Sequence, residues 1–316
     1  MPEDIESVVQ EYNPKNIVAR NVRGNIPVLT AAGKSLAEAW ENSLLCLYEA
    51  GGRIPTEYDA NLDGSVNEPS LDCTMMMVVT DPSSEPFIHR AFPGGLEDLE
   101  EYRQEVCDGI KDHWVRDPED KTDERWEYTY HQRLFKYEVP GYKGKIDQLA
   151  RAVEKLAKSP ITRRVQAITW QPWFDLDCYD PACLQSIWLR CMPDENKIWY
   201  LNMDVRFRSR DAYDAAYMNC FALISLQERL AHQLSEKMGK EVKLGRYVDL
   251  SDSYHVYGRR LPHFRDNFMK QVKERPFEER TWTREFGEEI FAEARPKIIA
   301  KVNAVDANRP PKPGRG

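Results

Sequence analysis

Apolar residues recur at helical spacing behind Ser35, where Leu36, Ala39, Trp40, Leu44 and Tyr48 share one stripe. Glu38 stands three residues after Ser35 as in a capping box, and Gly51-Gly52 stops the run. Asn25 to Thr30 reads as a short strand, and Thr74 to Thr80 as a strongly apolar one ended by Asp81-Pro82. After Pro93-Gly94-Gly95 the pattern predicts a helix from about Leu96 to His113, with early carboxylates that suit a helix N-terminus. Residues 116–125 form a charged loop. Lys143 to Lys158 is amphipathic, with Ile146, Leu149, Ala150, Val153 and Leu156 on one face. Strands are predicted over Val165–Trp170, Ser186–Cys191, Lys197–Phe207, Lys243–Leu250 and Tyr254–Tyr257. A long, mostly buried helix is predicted from Asp211 to Met238.

Helices and strands do not alternate regularly, so the expected class is α+β, with several helices over a mixed sheet. No G-x-G-x-x-G follows a strand and no Walker A sequence is present, which removes those nucleotide folds. The 316 residues suffice for a core without staples. We expect one catalytic domain over residues 1–305 and a disordered tail over residues 306–316, which is rich in proline and glycine. No run approaches the roughly 18 apolar residues of a membrane helix. The acidic start, MPEDIESVVQEYNP, lacks the apolar stretch of a signal peptide. Seven scattered cysteines argue against a disulfide framework and for a cytoplasmic protein. Lys+Arg number 44 against 52 Asp+Glu, a net charge of -8, so nucleic acid is a poor partner and any anion needs a local arginine cluster.

Four segments supply candidate chemistry. Arg163-Arg164 is either a solvated pair or a phosphate clamp, because guanidinium makes bidentate phosphate contacts. Cys183, in DPACLQ before an apolar strand, is either a small core residue or a nucleophile, and a nucleophile needs arginines nearby to favour its thiolate. Cys178, Cys183 and Cys191 fit no zinc spacing with a histidine, so no metal is expected. Arg206-Phe207-Arg208-Ser209-Arg210-Asp211 leads toward the long helix and could hold an anion. Asn219 within that helix can read a base edge, since its amide offers a donor and an acceptor. His255 and Tyr257 share a strand face and could grip a sugar hydroxyl.

These segments, in this order, resemble the thymidylate synthase superfamily over about residues 159–260. RRVQAITW is similar to its dimer-crossing arginine strand, and DPACLQ to its Pro-Pro-Cys-His nucleophile segment. RSRDAYDAAYMN is similar to its Arg-Ser-x-Asp-x-x-x-Gly-x-Pro-Phe-Asn signature, and SYHVY to its His-x-Tyr. Upstream, KDHW and WEYTYHQR look like its Asp-Glu-Trp and Val-Tyr-Gly-x-Gln-Trp-Arg segments. The resemblance implies a mixed sheet covered by helices, with one sheet face forming a homodimer interface. It implies a pyrimidine nucleotide monophosphate as substrate and 5,10-methylenetetrahydrofolate as co-substrate. Cys183 would add to pyrimidine C6. Arg208 and Ser209, with Arg163 and Arg164 from the second subunit, would hold the phosphate at active sites shared between subunits. Asn219 would read the base, and His255 and Tyr257 would hold the 3′-hydroxyl. Asp211 and Trp114 would contact folate, and Tyr130 would join the water network that removes the C5 proton. Glu85 is the candidate general acid.

Departures from the family pattern bear on the outcome. Ala182 and Leu184 flank the nucleophile, and Ala215 and Tyr217 replace the signature's Gly and Pro. Lys111 stands at the folate site where the family has a second tryptophan, and the chain ends PPKPGRG rather than in an apolar closing segment. A hydrated charge and an open tail favour water as the acceptor of the methylene intermediate. The reading is therefore hydroxymethylation of CMP, dCMP or dUMP. The alternatives are reductive methylation of dUMP to dTMP and an inactive regulator that binds nucleotides or RNA.

Overall fold

The structure is a computed structural model that describes residues 17–19, 24–56, 58–59, 67–117, 120, 122–307 and 310–311. Most of the lead-in and of the proline-rich tail lies outside these residues. Among the described residues, nine strands form one mixed sheet. They are β1 (Ile17–Ala19), β2 (Val28–Gly33), β3 (Gly52–Ile54), β4 (Ser70–Val79), β6 (Gln166–Ile168), β7 (Leu184–Pro193), β8 (Trp199–Phe207), β9 (Arg210–Asp211) and β10 (Val242–Val256). The main path runs β1-β2-β4-β10-β8-β7-β6, with β3 on β4 and β9 on β10. The β2–β4 and β8–β10 pairs are parallel, and β4–β10 and β7–β8 are antiparallel. Two short strands, β5 (Ile88–His89) and β11 (Thr281–Trp282), pair separately.

Helices cover one face of the sheet: α1 (Leu36–Ala50), α2 (Leu96–Asp108), α3 (Tyr130–Phe135), α4 (Gln148–Lys158), α5 (Ala216–Met238) and α6 (Arg284–Ala304). Along β4 and β8 alternate side chains (Met75, Met77, Val79; Leu201, Met203, Val205, Phe207) point into the core beneath them. Phe221, Leu223, Ile224 and Leu230 of α5 meet the same core, each contributing about 1.5–3 kcal/mol by burial. Among the described residues nothing covers the opposite face: Met76 is 41% exposed, and Val78, Trp188, Met192, Val248 and Leu250 are half-buried around it.

Several boundaries differ from expectation for local reasons. The helix expected to reach His113 ends at Asp108, because Gly109 adopts φ +68° and caps it left-handed. A side chain at Gly109 would also collide with the His131 ring. The amphipathic helix starts at Gln148 rather than Lys143, since Asp147 caps it by accepting from the Ala150 N–H at 2.8 Å. The long helix starts at Ala216, not Asp211. Asp211 instead pairs with β10 in β9, and its carboxylate accepts from the Tyr213 and Asp214 N–H groups at 3.0 and 2.8 Å. Asn219 therefore lies in the helix's first turn. The two strands expected over 243–257 are one strand, β10, whose register shifts between Ser251 and Tyr254.

Candidate active site

Leu184, the first residue of β7, pairs with Phe207, the last of β8, and this sets Cys183 beside Arg208. The Arg208 N–H donates to the Cys183 carbonyl at 2.9 Å. Its guanidinium donates to the Ala182 carbonyl at 3.2 Å and also to the Pro181 carbonyl. The strand-end arginine thus fastens the loop that carries the thiol. Cys183 lines a cavity of about 150 Å³ with Tyr102, Glu105, Trp126, Tyr128, Tyr130, Ser209, Arg210, Asp211 and Asn219. Burial raises the Cys183 thiol above its ordinary range, while Arg208, Arg210 and a hydrogen bond from Tyr128 pull it back down. The thiolate is the reactive form, so these three groups bear directly on reactivity.

Arg210 is 2% exposed. It pairs with Asp249, donates to the Ala216 carbonyl at 3.0 Å and stacks 3.8 Å over Phe207. Its Nε has no partner among the described residues. Asn219 donates through Nδ2 to the Tyr102 hydroxyl at 2.7 Å. Tyr130 accepts from the Leu184 N–H at 3.2 Å, with Tyr128 beside it at 5.6 Å between rings. Burial, and secondarily Asp214, push the Asp211 carboxyl up to about 7. The His255 and Tyr257 rings meet edge-on at 4.6 Å, and burial lowers His255 to about 4, so it is neutral at pH 7.

A second cavity, of about 530 Å³, shares Tyr102, Glu105, Trp126 and Met218 with the first. Trp114 and Trp126 form its indole wall, edge-on at 5.2 Å. Trp114 Nε1 is buried without a partner among the described residues, and Trp126 Nε1 donates to the Pro311 carbonyl at 2.7 Å. An indole wall with an unpaired donor, sharing Trp126 with the cavity that Asp211 lines, suits a flat heteroaromatic ring that presents N–H and carbonyl groups.

The structure brings together Cys183, Tyr130, Ser209, Asp211 and Asn219 at one cavity, with Trp114 and Lys111 at the adjoining one. Glu85 is a correction. It caps α6, where it accepts from the Arg284 N–H at 3.2 Å, and it lines neither cavity. The carboxyl that does line both is Glu105, which burial raises above its ordinary range despite its partner Lys111. Lys111 is a second correction, because it is not a hydrated charge. It is 8% exposed and bound to Glu101 at 2.8 Å and Glu105 at 2.9 Å. Burial alone would lower it, but the two carboxylates hold it raised. Nor is the second indole missing, since Trp126 supplies it from the loop before α3. Pro311, expected in a loose tail, lies on the cavity wall. Arg163 and Arg164 are exposed and do not line their own chain's Cys183 cavity. Tyr128, Tyr102, Glu105 and Trp126 escaped the sequence reading as site residues, and Arg210 entered it only within the segment expected to hold an anion. The i, i+2 pair of tyrosines at 128 and 130 was the one signal that could have found Tyr128.

The sequence profile of the thymidylate synthase family matches residues 95–287. A Methanosarcina mazei protein named "Putative thymidylate synthase" is 30% identical over 226 residues, covering 71% of this chain and 87% of the relative. A protein of the same name from Methanosarcina barkeri is 29% identical over 226 residues, with the same shares. The solved thymidylate synthase A from Bacillus subtilis superposes with a TM-score of 0.54 at 18% identity, over 74% of this chain and 84% of that one. That last likeness concerns the fold.

Proposed function

Because the chain belongs to the thymidylate synthase family, we propose that it transfers a one-carbon unit from 5,10-methylenetetrahydrofolate to C5 of a pyrimidine nucleotide monophosphate through a covalent Cys183 adduct. The observation that carries this reading is the placement of Cys183. It lines a cavity with Arg210, Tyr128, Tyr130 and Asn219, and that cavity shares Tyr102, Glu105 and Trp126 with an indole-walled one.

C5 of a pyrimidine is a poor nucleophile until a thiolate adds at C6, which turns C5 into an enolate-like carbanion. Tyr128, Arg208 and Arg210 favour that thiolate. Ser209 and Arg208 hold the phosphate, joined by Arg163 and Arg164 of a second copy. That copy would pack on the uncovered sheet face around Met76, Trp188 and Leu250. Asn219, oriented by Tyr102, reads the base. Trp114, Trp126 and Asp211 hold the folate ring, which supplies the methylene. Glu105 takes the acid–base role, since burial raises its carboxyl and so makes it a better proton acceptor than an ordinary carboxylate, and Tyr130 orders water at C5.

For the fate of the methylene we propose attack by water, giving a hydroxymethyl product. Support comes from the polar rim of the larger cavity outside the Lys111 pairing, where Asp98, Asp214, Arg260 and Lys301 can keep water at hand. Glu105 is placed to take the water's proton. The second reading, hydride transfer to give methyl, is favoured by the Trp114–Trp126 pair, which can keep a reduced folate against the intermediate. Incubation with UMP, dUMP, CMP and dCMP in turn, each with methylenetetrahydrofolate, tests both. A product heavier by CH2O supports water, and one heavier by CH2 supports hydride. No product with any of the four contradicts the activity.

A further inference from the structure

His255 and Asp72 face each other across the β4–β10 ladder. Between them sits Ser253, whose hydroxyl donates to Asp72 Oδ2 at 2.9 Å and lies 3.2 Å from His255 Nδ1. A serine hydroxyl has one proton. With that proton given to the carboxylate, Ser253 Oγ can only accept from the ring, so Nδ1 must carry the hydrogen. His255 Nε2 is then a lone-pair acceptor. It is buried without a partner among the described residues, as is Asp72 Oδ1, and the residue is only 5% exposed. A buried acceptor left unpaired is destabilising, and a hydroxyl donor would supply the missing bond.

We propose that Asp72 and Ser253 are positioning residues that lock His255 in its Nδ1–H tautomer, reserving Nε2 to accept a hydrogen bond from the sugar 3′-hydroxyl of the nucleotide. The sugar half of this inference rests on the proposed function, whereas the tautomer does not. The relay also accounts for an ionisable residue at position 72. Burial lifts its carboxyl to about 6, so above that pH it is the anion that Ser253 requires. His255, held near 4, stays neutral there, with Asp59 the charged group facing it and Tyr257 beside it.

The test begins with the unsubstituted protein labelled with ¹⁵N-histidine, at pH 7.5 and without nucleotide. The two-bond ¹⁵N–¹H pattern of His255 should be that of the Nδ1–H form, and an Nε2–H pattern overturns the relay. In Asp72→Asn the new amide donates to Ser253, which turns its own proton toward Nδ1, so the pattern should switch to Nε2–H. No switch in folded Asp72→Asn overturns the relay. If that variant does not fold, Ser253→Ala should show mixed tautomers, and a pure Nδ1–H signal there has the same consequence. For the sugar half, UMP, dUMP, CMP and dCMP are compared with their 3′-fluoro analogues, which accept but cannot donate. The tightest binder should lose about tenfold in affinity on fluorination, and folded Asp72→Asn should lose that preference. Equal binding of hydroxyl and fluoro forms overturns the sugar assignment. Failure of all four nucleotides to bind overturns it together with the proposed function, and leaves the tautomer result standing.

Discussion

Replacing Lys111 by methionine tests how the wall between the two cavities is held together. Lys111 Nζ lies 2.8 Å from Glu101 and 2.9 Å from Glu105, with the side chain one-tenth exposed. Glu101 has a second cation, Lys301 at 3.0 Å. Glu105 has only Lys111 among the described residues. Methionine fills a similar volume, so the loss is electrostatic. Removing one partner of a buried pair costs about 3–5 kcal/mol, and here the cost falls on Glu105. At roughly 2 °C per kcal/mol for a chain of this size, melting should drop by about 6–10 °C at pH 8. The sign with pH follows from linkage. Without Lys111, the folded-state pKa of Glu105 rises further above its unfolded value. The variant is then least penalised below the unfolded pKa and loses stability as pH climbs through the folded one. The deficit should shrink between pH 8 and pH 5, and Lys111→Met/Glu105→Gln should recover most of it at pH 8. Scanning calorimetry of the four proteins of this cycle supplies the numbers. A Lys111→Met melting point within a degree of the parent, or a deficit independent of pH, would refute the buried pairing.

Tyr128→Phe removes the hydrogen bond to the thiol. Iodoacetamide alkylation of Cys183 should then titrate at higher pH and turnover should fall about 10- to 100-fold, as for a charge-assisted bond; an unchanged alkylation profile would show that Tyr128 does not act on the thiol. Trp114→Ala opens the indole wall of the larger cavity alone and should raise the KM for methylenetetrahydrofolate at least about tenfold while sparing nucleotide binding, through the lost burial of one ring; equal losses for both ligands would contradict the division into two cavities. Mixing inactive Cys183→Ala with inactive Arg164→Ala should restore activity, because one of the two hybrid sites holds both residues; sedimentation as a monomer at micromolar concentration would remove the shared site.

The segments that carry chemistry were legible because covalent catalysis and anion binding demand particular residue types at fixed spacing. Cys183, Ser209, Asp211 and Asn219 do converge, although they come from a loop, a strand end and a helix. The misreadings arose where a tertiary partner decides a residue's state. Lys111 reads as a hydrated charge only until Glu101 and Glu105, ten and six residues back on α2, are seen to take its ammonium. Trp126 lies too far from Trp114 in sequence for any local pattern to join them. Glu85, next to a proline and an arginine-bearing segment, looked available, but the N-terminus of α6 claims it. The helix boundaries slipped for a related reason. Asp211 folds its carboxylate onto two backbone N–H groups, and that local competition overrides the apolar periodicity running through it.

The covalent Cys183 adduct is the most direct point of decision. A 5-fluoro pyrimidine nucleotide can accept the thiolate at C6, yet after one-carbon transfer its C5 substituent cannot leave as a proton, so the adduct should persist. The protein is incubated with such a nucleotide and methylenetetrahydrofolate, denatured, and weighed intact, and its peptides are then mapped. The account predicts a stoichiometric gain of nucleotide plus folate, located on the peptide that contains Cys183 and absent from Cys183→Ala. A gain located on Cys178, or no gain from a preparation that turns over the parent nucleotide, would contradict it.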